Sequence, residues 1–258
     1  MKINRLSAIL FTLLFLSCSR KPVIVDLPQS GNIDNLKKFF LRSESDSVKA
    51  GAVLEKYKII QHLTHLRKMD SGGKKYYLLE KDDITKMINS VTEGIYLDYI
   101  LVNRHGDIIY TNKNESLFGS NVNSGFESSP LYKCFMNRTE VYFGDVSFIT
   151  PSSSVYSLYI SSPVYVEGSF HGVLILQVDT KKISGVLDNG TEIFSRDGII
   201  RITPSDERIF SKYGEFDKLD MQSLDVNGVV YSGIKDEKLR FSKFVFKDIN
   251  WILMSKVF

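Results

Sequence analysis

The side chains best suited to chemistry in this sequence are two cysteines and a pair of histidines. Cys18 and Cys134 are the only thiols in 258 residues, and His62 and His65 stand three apart in a segment with helical periodicity. A metal site needs more ligands than this pair, and no nearby carboxylate completes one. The serines cluster in turns and strand starts without a legible general base. The sequence therefore predicts no metal site, no enzyme and no cofactor.

The composition is that of an ordinary globular protein. Apolar residues make up 43% and charged residues 24% of the chain, and the 13 Tyr and 17 Phe favour sheets over helical bundles. The formal net charge is +3, and it falls to +1 if the segment that contains Lys2 and Arg5 is removed. Because no basic stripe accompanies this small charge, nucleic acid is not an expected partner.

The first eighteen residues, MKINRLSAILFTLLFLSC, have the layout of a signal peptide. A basic start is followed by a mostly apolar run that is shorter than the roughly 20 residues of a membrane-spanning helix. Its Leu-Ser-Cys ending resembles the lipobox of bacterial lipoproteins, in which the Cys thiol is acylated and becomes the first residue of the mature chain. The resemblance implies a signal peptide over residues 1–17 and lipidation of Cys18. A plain secretory signal with a coincidental Cys is the alternative.

The next segment, residues 18–31, is predicted to be a tether because it contains two prolines and no helical period. At about 3.3 Å per residue it could hold a folded body up to ~40 Å from a lipid surface. With Cys18 occupied by lipid, Cys134 has no intramolecular partner and is expected to be a free, buried thiol.

Apolar spacing predicts two helices at the start of the body. Apolar residues recur at intervals of three and four from Asn32 to about Met69, which indicates one long amphipathic helix with Gly51 as its weak point. A second helix is expected over DDITKMINSV, with Asp82 or Asp83 as its N-cap.

The remaining sequence reads as strands and contains a repeat. YILVNRHGDIIYTN and EIFSRDGIIRITP align on Gly106 and Gly198, each in a turn where glycine supplies a positive φ. LYISSPVYVEGSFHGVLILQV parallels LRFSKFVFKDINWILMSKV in the same way. Each half reads as a hairpin, an insert and three strands. The sequence therefore predicts an α+β fold with two antiparallel sheets and helical inserts behind one long helix.

In this order the segments resemble a double Cache domain, the PAS-like extracellular sensor of bacterial chemoreceptors and sensor kinases. The resemblance covers about residues 32–258. It implies that the long helix and a membrane-distal, ligand-holding subdomain occupy residues 32–179, and that a membrane-proximal subdomain occupies 180–258. Cache sensors usually sit between two transmembrane helices and act on a cytoplasmic output domain. With a lipid anchor in place of those helices, we expect no output domain in this chain. Either a membrane partner receives the signal, or the domain serves binding alone.

Cache domains that bind amino acids resemble one another in an Arg-x-Trp-Tyr stretch and in an Asp at the end of the last distal strand. Ser129 and Leu131 stand where the Arg and Trp are expected, whereas Tyr132 and Asp179 match. Loss of the Arg removes a bidentate clamp for a carboxylate, which argues against an α-amino acid ligand. Asp179 either faces a ligand amine or caps the helix that follows it.

Two functions remain open at this point. In the first, a lipid-anchored extracytoplasmic protein of the cell envelope, periplasmic or on the cell surface, binds a small polar molecule in a distal pocket lined by Tyr110, Tyr132, Tyr142 and Asp179. In the second, the scaffold contacts another protein or a host molecule, and the tyrosines belong to a filled core. Trp251, the only tryptophan, is expected in the core of the proximal subdomain without a ligand role.

Overall fold

The computed structural model describes residues 31–69, 74–124, 129–149, 155–204, 206–214, 217, 224, 229–234 and 237–256. The signal peptide, Cys18 and the tether up to residue 30 lie outside these residues, so their assignments stay predictions. Within the described ranges, none of the helices combines the length and the apolar character that crossing a membrane requires.

Three helices precede the first strand: α1 spans Gly31–Lys56, α2 spans Ile59–Met69 and α3 spans Lys74–Asn89. The long helix predicted from the sequence is therefore interrupted. The interruption falls at Lys58, whose φ is 51°, and not at Gly51. Gly51 lies inside α1, where an added Cβ would stand 3.2 Å from the Ser162 hydroxyl. This glycine permits close packing of α1 on β4 and does not interrupt the helix.

The start of α3 also differs from the prediction. The helix begins at Lys74, so Asp82 and Asp83 lie in its interior and cannot be its N-cap. Both aspartates are exposed, and Asp83 accepts a hydrogen bond from Lys86 one turn later at 3.3 Å. Acidic residues are common on the solvent face of a helix, so the amino-acid sequence alone does not distinguish such a position from an N-cap.

The first sheet contains five antiparallel strands in the order β2-β1-β5-β4-β3. A short 3-10 helix, Glu115–Leu117, follows its second strand, and the helix α4, Pro130–Met136, precedes its third. The strands are β1 Tyr96–Asn103, β2 Ile108–Thr111, β3 Tyr142–Ser147, β4 Ser157–Val166 and β5 Ser169–Asp179.

The second sheet repeats this topology with the order β7-β6-β10-β9-β8. The short helix α5, Thr180–Ser184, leads into it, and a 3-10 helix, Asp206–Arg208, again follows the hairpin. The strands are β6 Glu192–Ser195, β7 Ile200–Ile202, β8 Val229–Ile234, β9 Glu237–Phe246 and β10 Ile249–Lys256.

The two hairpins match in detail. Gly106 has a φ of 87° and Gly198 a φ of 78°, as expected for the glycine of each turn. The Gly106 carbonyl accepts a hydrogen bond from the Val122 amide at 2.8 Å, and the Gly198 carbonyl accepts one from the Tyr213 amide at 2.9 Å. The repeat predicted from the sequence is therefore a structural repeat that includes the chain beyond each hairpin.

The two sheets share one core. Phe40 of α1 lies 5.4 Å from Phe143 of the first sheet and 5.5 Å from Trp251 of the second, measured between ring centroids. Trp251 is fully buried, and its indole N–H donates a hydrogen bond of 2.9 Å to Asp145 of β3. Trp251 was expected inside the second subdomain alone, and the structure corrects this, since its ring and N–H join the two sheets.

Candidate functional site

The first sheet has two different faces. Its inner face packs on α1, α2 and α3, and its outer face lies under α4. Apolar residues from three strands, Ile100, Tyr159 and Ile175, form a buried cluster on the outer face together with Leu131 and Phe135 of α4. The side chains that a bound molecule could reach on this face are therefore those that border this cluster.

Local sequence explains how α4 lies on the sheet. The Ser129 hydroxyl accepts a hydrogen bond from the Leu131 amide at 3.2 Å, and Pro130 occupies the first helical position. Leu131 and Cys134 then turn toward the sheet, three residues apart, while Tyr132 is half-buried at the side of the helix. Ser129, which stands where the resemblance leads us to expect an Arg, thus caps this helix.

Two tyrosines stand side by side on the outer face of β3 and β4. Tyr142 pairs with Ser161, and Gly144 pairs with Tyr159, so both rings project from the same face on neighbouring strands. An added Cβ at Gly144 would lie 3.4 Å from the Tyr142 ring and 3.8 Å from Cβ of Tyr159. The Tyr142 ring therefore packs close to Gly144, beside Tyr159 on the neighbouring strand.

Neither tyrosine hydroxyl has a hydrogen-bond partner within 3.5 Å among the described residues. The Tyr159 hydroxyl is buried, and the nearby Ser157 hydroxyl lowers its pKa without meeting the geometry of a hydrogen bond. Burial raises the pKa of Tyr142 to about 12 and raises that of Tyr159 further. Both groups are thus neutral hydroxyls that can donate or accept a hydrogen bond. Because unpaired buried polar groups are rare, the Tyr159 hydroxyl, with the half-buried Tyr142 beside it, is a candidate for ligand contact.

Further polar side chains lie beside the two tyrosines, on the same face of β4 and β5. The Gln177 amide donates a hydrogen bond of 2.9 Å to the Ser157 hydroxyl, and the Ser161 hydroxyl donates one of 3.3 Å to the Cys134 carbonyl. Sequence reasoning missed Tyr159. The signal that could have found it is the alternation of Ser157, Tyr159 and Ser161 with apolar residues, since every second residue of a strand shares a face.

The predicted site residue Tyr110 lies on the opposite face of the sheet. A β-bulge at Ile109 interrupts the alternation, because Leu101 pairs with Tyr110 whereas Val102 pairs with Ile108. The side chains of Ile109 and Tyr110 therefore both lie on the inner face of the sheet. The Tyr110 hydroxyl lies 2.6 Å from the Thr85 hydroxyl of α3. The structure thus separates Tyr110 from Tyr142, and the four predicted residues do not line one pocket.

Asp179, at the end of β5, acts as a helix cap in this structure. Its carboxylate accepts a hydrogen bond of 2.9 Å from the Lys181 amide and precedes the first residue of α5, Thr180. Of the two interpretations open for this residue, the geometry fits the cap. A half-buried carboxylate also keeps further acceptor capacity, so the cap and a contact with a ligand amine are compatible.

Cys134 is the free thiol of α4. It is fully buried, as predicted from the sequence, and burial raises its pKa to about 12. A thiol of this kind is a packing residue and not a nucleophile. The described residues also contain no group of three or more His, Cys, Asp or Glu side chains that could hold a metal ion.

A buried carboxylate that sequence reasoning missed lies at the hairpin of the first sheet. Asp98 accepts hydrogen bonds from the Thr111 hydroxyl at 2.8 Å and from the backbone amides of Asn112, Lys113 and Asn114 at 2.7–3.0 Å. Burial raises its pKa, and these hydrogen bonds oppose the rise. With its acceptor sites occupied, Asp98 holds the chain after β2 and has a structural role.

Solved structures identify the fold. The ligand-binding domain of the Pseudomonas fluorescens chemoreceptor CtaA, in complex with L-alanine, aligns with 88% of this chain and 92% of its own at 13% identity, with a TM-score of 0.59. The sensor domain of the V. cholerae histidine kinase DctB aligns with 88% of this chain and 95% of its own, also at 13% identity and a TM-score of 0.59.

A third structure is longer than this chain. An extracellular ligand-binding receptor from Desulfohalobium retbaense aligns with 87% of this chain at 13% identity and a TM-score of 0.59, and the match spans 38% of that receptor. The sequence matches no family model, and no curated protein is significantly similar to it. The structure thus has the double-Cache-like α+β fold of extracellular ligand-binding sensor domains, which confirms the fold class predicted from the sequence.

Proposed function

We propose that this chain is a lipid-anchored extracytoplasmic protein of the cell envelope that binds a small polar molecule at the outer face of its first sheet. The observation that carries this proposal is the pair of tyrosine hydroxyls, of Tyr142 and Tyr159, which lie on one face of neighbouring strands and have no hydrogen-bond partner among the described residues. The fold, which extracellular sensor domains share, supports the same class of function. Fold similarity alone would not be sufficient, since function resides in the site.

The polar groups on the outer face of the first sheet limit the chemical class of ligand that can bind there. These groups are hydroxyls and one amide. Arg138, just after α4, lies over the rings of Phe135 and Phe170 at 4.6 and 4.8 Å. A guanidinium stacked in this way is engaged by the ring faces. We therefore infer a ligand whose recognition depends on hydrogen bonds to hydroxyl groups, and not on a clamp for a carboxylate. This agrees with the Ser that occupies the position of the expected Arg.

A thermal-shift screen of the protein against amino acids, amines, carboxylates and nucleobases tests the site. Tyr142→Phe should leave the melting temperature without ligand nearly unchanged, because no described hydrogen bond is lost, and should abolish the ligand-induced rise. Tyr159→Phe should raise stability by about 1 kcal/mol, since it removes a buried unpaired hydroxyl, and should also weaken the ligand response. A gain in stability with a loss of binding is typical of a functional group.

Tyr110→Phe is the matched control for these variants. It removes a hydroxyl of the same kind from the inner face, where the bond to Thr85 is lost, so it should cost about 1 kcal/mol and keep the ligand response. Tyr132→Phe and Asp179→Asn test the two remaining predicted contacts. If Tyr142→Phe, Tyr159→Phe, Tyr132→Phe and Asp179→Asn all keep the wild-type response, the ligand does not bind the outer face.

The lipid anchor has its own test. Cells that express the wild type or Cys18→Ser are labelled with a clickable fatty acid, and we expect label only in the wild type, with the variant released as a folded protein. Equal labelling of both proteins would contradict acylation at Cys18.

A second candidate function is contact with another protein, as expected for a surface lipoprotein. The observation that favours it is a set of exposed apolar side chains on α2 and α3, two helices that pack on each other: Met69 is 64% exposed, Leu78 50% and Leu79 67%. Exposed apolar side chains mark interaction sites when they form one patch. Absence of any ligand in the screen, with Tyr142→Phe and wild type equally stable, would make this the better candidate.

A further inference from the structure

A second cavity, separate from the outer-face site, opens where α2 passes the turn between β1 and β2. Its volume is about 180 Å³. The helix contributes Gln61, His65 and Lys68, whose spacing of three and four residues places them on one side of α2. The turn contributes Arg104 and His105. Each of these five side chains is polar, and two of them carry a permanent positive charge.

A third element, the start of β5, adds His171 to the same cavity. Its position depends on the next residue. Gly172 pairs with Asn103, and an added Cβ at this glycine would lie 2.0 Å from the Val102 carbonyl oxygen. Only glycine permits this approach of β5 to β1, and the approach places His171 beside the turn that carries Arg104. The cavity is therefore built by the fold of three segments.

The donors of the cavity are available for a ligand. Arg104 donates from Nε to Nε2 of His105 at 3.2 Å, which holds the guanidinium beside that imidazole and leaves its two terminal nitrogens without a described partner. Lys68 has no ion pair with any described residue. The Gln61 side-chain oxygen is buried without a hydrogen bond, so its amide nitrogen is the polar atom that can face the cavity.

Among the described residues, no acidic side chain lines the cavity to neutralise these charges. The carboxylates on neighbouring segments are paired elsewhere. Asp107 lies 3.5 Å from Arg67 and accepts a hydrogen bond from Asn121 at 2.9 Å, and Glu167 lies 3.0 Å from Lys58. The positive charge of Lys68 and Arg104 is therefore uncompensated within the described part of the chain.

We propose that this cavity binds a small tetrahedral oxyanion, a phosphate or sulfate group, either free or carried by a larger molecule. The free end of the Arg104 guanidinium can contact two oxygens of such a group at once, and Lys68 adds a point charge. Histidine imidazoles supply further N–H donors. The volume equals roughly six waters of about 30 Å³ each, which suits one such anion and excludes a drug-sized ligand.

The experiment titrates sodium phosphate and sodium sulfate into the full chain, with sodium chloride added to keep the ionic strength constant, and records the melting temperature. Lys68→Gln with Arg104→Gln removes both fixed charges from the cavity. The matched control, Lys37→Gln with Lys38→Gln, removes the same charge from exposed positions of α1. Wild type and control should show a saturable rise with phosphate or sulfate, and the apparent affinity of the cavity variant should fall about tenfold or more.

A heparin column, eluted with a salt gradient, distinguishes a free anion from a group on a polymer. If only the polymer binds and the cavity variant elutes earlier than the control, the group belongs to a larger molecule, and the proposal stands. A wild type that responds to oxyanions no more than to chloride and is not retained would overturn it. So would a cavity variant that responds as the control does. His65→Gln with His171→Gln is a second pair, for use if the first variant is unstable without anion.

Discussion

The two sheets of this protein close equivalent hairpins with different chemistry. After each turn glycine, a threonine at the same relative position donates its hydroxyl to a carboxylate: Thr111 to Asp98 at 2.8 Å and Thr203 to Glu192 at 3.0 Å. Asp98 is otherwise held by backbone amides, whereas Glu192 forms an ion pair of 2.9 Å with Arg208, whose side chain is 47% exposed.

The difference teaches how a repeated hairpin can be adapted. In the first hairpin, three backbone amides and the Thr111 hydroxyl hold the chain after β2, without an ion pair to a described residue. The second hairpin depends on an ion pair that solvent reaches, and a cavity of about 460 Å³ lies beside Glu192, lined also by Tyr213 and Met254. We therefore expect the first hairpin to resist salt and the second to respond to it.

The largest expected effect comes from Trp251, which belongs to the second sheet and contacts the first. Trp251→Ala removes a fully buried ring and the hydrogen bond to Asp145, and should lower the free energy of unfolding by about 3–5 kcal/mol. Because the two sheets share one core, the protein should unfold in a single urea transition, and the variant should shift the midpoint of that whole transition to lower urea. Two separate transitions, with one at the wild-type midpoint, would mean that the sheets unfold independently.

Loss of the first carboxylate should have the next largest effect. Asp98→Ala leaves the Thr111 hydroxyl and several backbone amides without their acceptor and should cost more than about 3 kcal/mol in urea unfolding. Thr111→Val removes the hydroxyl that donates to Asp98 and accepts from the Asn114 amide, but that amide keeps Asp98 as an acceptor, so the variant should cost about 1 kcal/mol. Equal costs for the two variants would show that the backbone amides find other acceptors and that Asp98 does not organise this turn.

The second carboxylate should matter less, and its contribution should depend on salt. Glu192→Gln keeps an acceptor for Thr203 but loses the ion pair with Arg208, so it should cost about 1 kcal/mol at low ionic strength. This difference from wild type should shrink in about 1 M salt, where the Debye length is ~3 Å. A cost for Glu192→Gln that salt does not change would remove the contrast with the first hairpin.

Much of the fold follows from the sequence because glycines and alternation are local signals. Gly106 and Gly198 mark both turns, and the alternation of each strand places most of its residues on the correct face. The interruption at Lys58 carried no such signal, because a lysine with positive φ is unusual and nothing in its type predicts it.

The site was predicted less well, for a reason of register. One extra residue at Ile109 turns the Tyr110 side chain to the opposite face of the sheet. Nothing in the amino-acid types of this segment marks a β-bulge. Tyr159 was overlooked because its importance comes from its place beside Tyr142 on the neighbouring strand, a pairing that the sequence does not specify. Tyr132 and Asp179 came from resemblance to a motif, and their ligand roles stay predictions.

The smallest effect is expected for the chemical reactivity of Cys134 in the folded protein. Its thiol is buried between α4 and the first sheet, so labelling of this thiol reports on that sheet. Burial raises the pKa of Cys134 to about 12, well above the ordinary thiol range, so almost no thiolate exists at pH 8. Folded wild type and folded Cys134→Ala should therefore differ little in their reactivity toward a thiol reagent. In a Cys18→Ser background, where Cys134 is the sole thiol, iodoacetamide should therefore label the protein only as it unfolds.

The sign of the pH dependence follows from the same pKa. The unfolded thiol ionises at its ordinary pKa, whereas the folded thiol stays protonated up to about 12, so stability contributed by Cys134 is present below the ordinary value and is lost as pH rises toward 12. At pH 8 the urea dependence of labelling should then coincide with that of Trp251 fluorescence, because the two residues share one cooperative structure. Labelling at lower urea than the fluorescence change would mean that α4 leaves the outer face before the two sheets separate, and that the outer face can open to a ligand without disturbing the junction at Trp251.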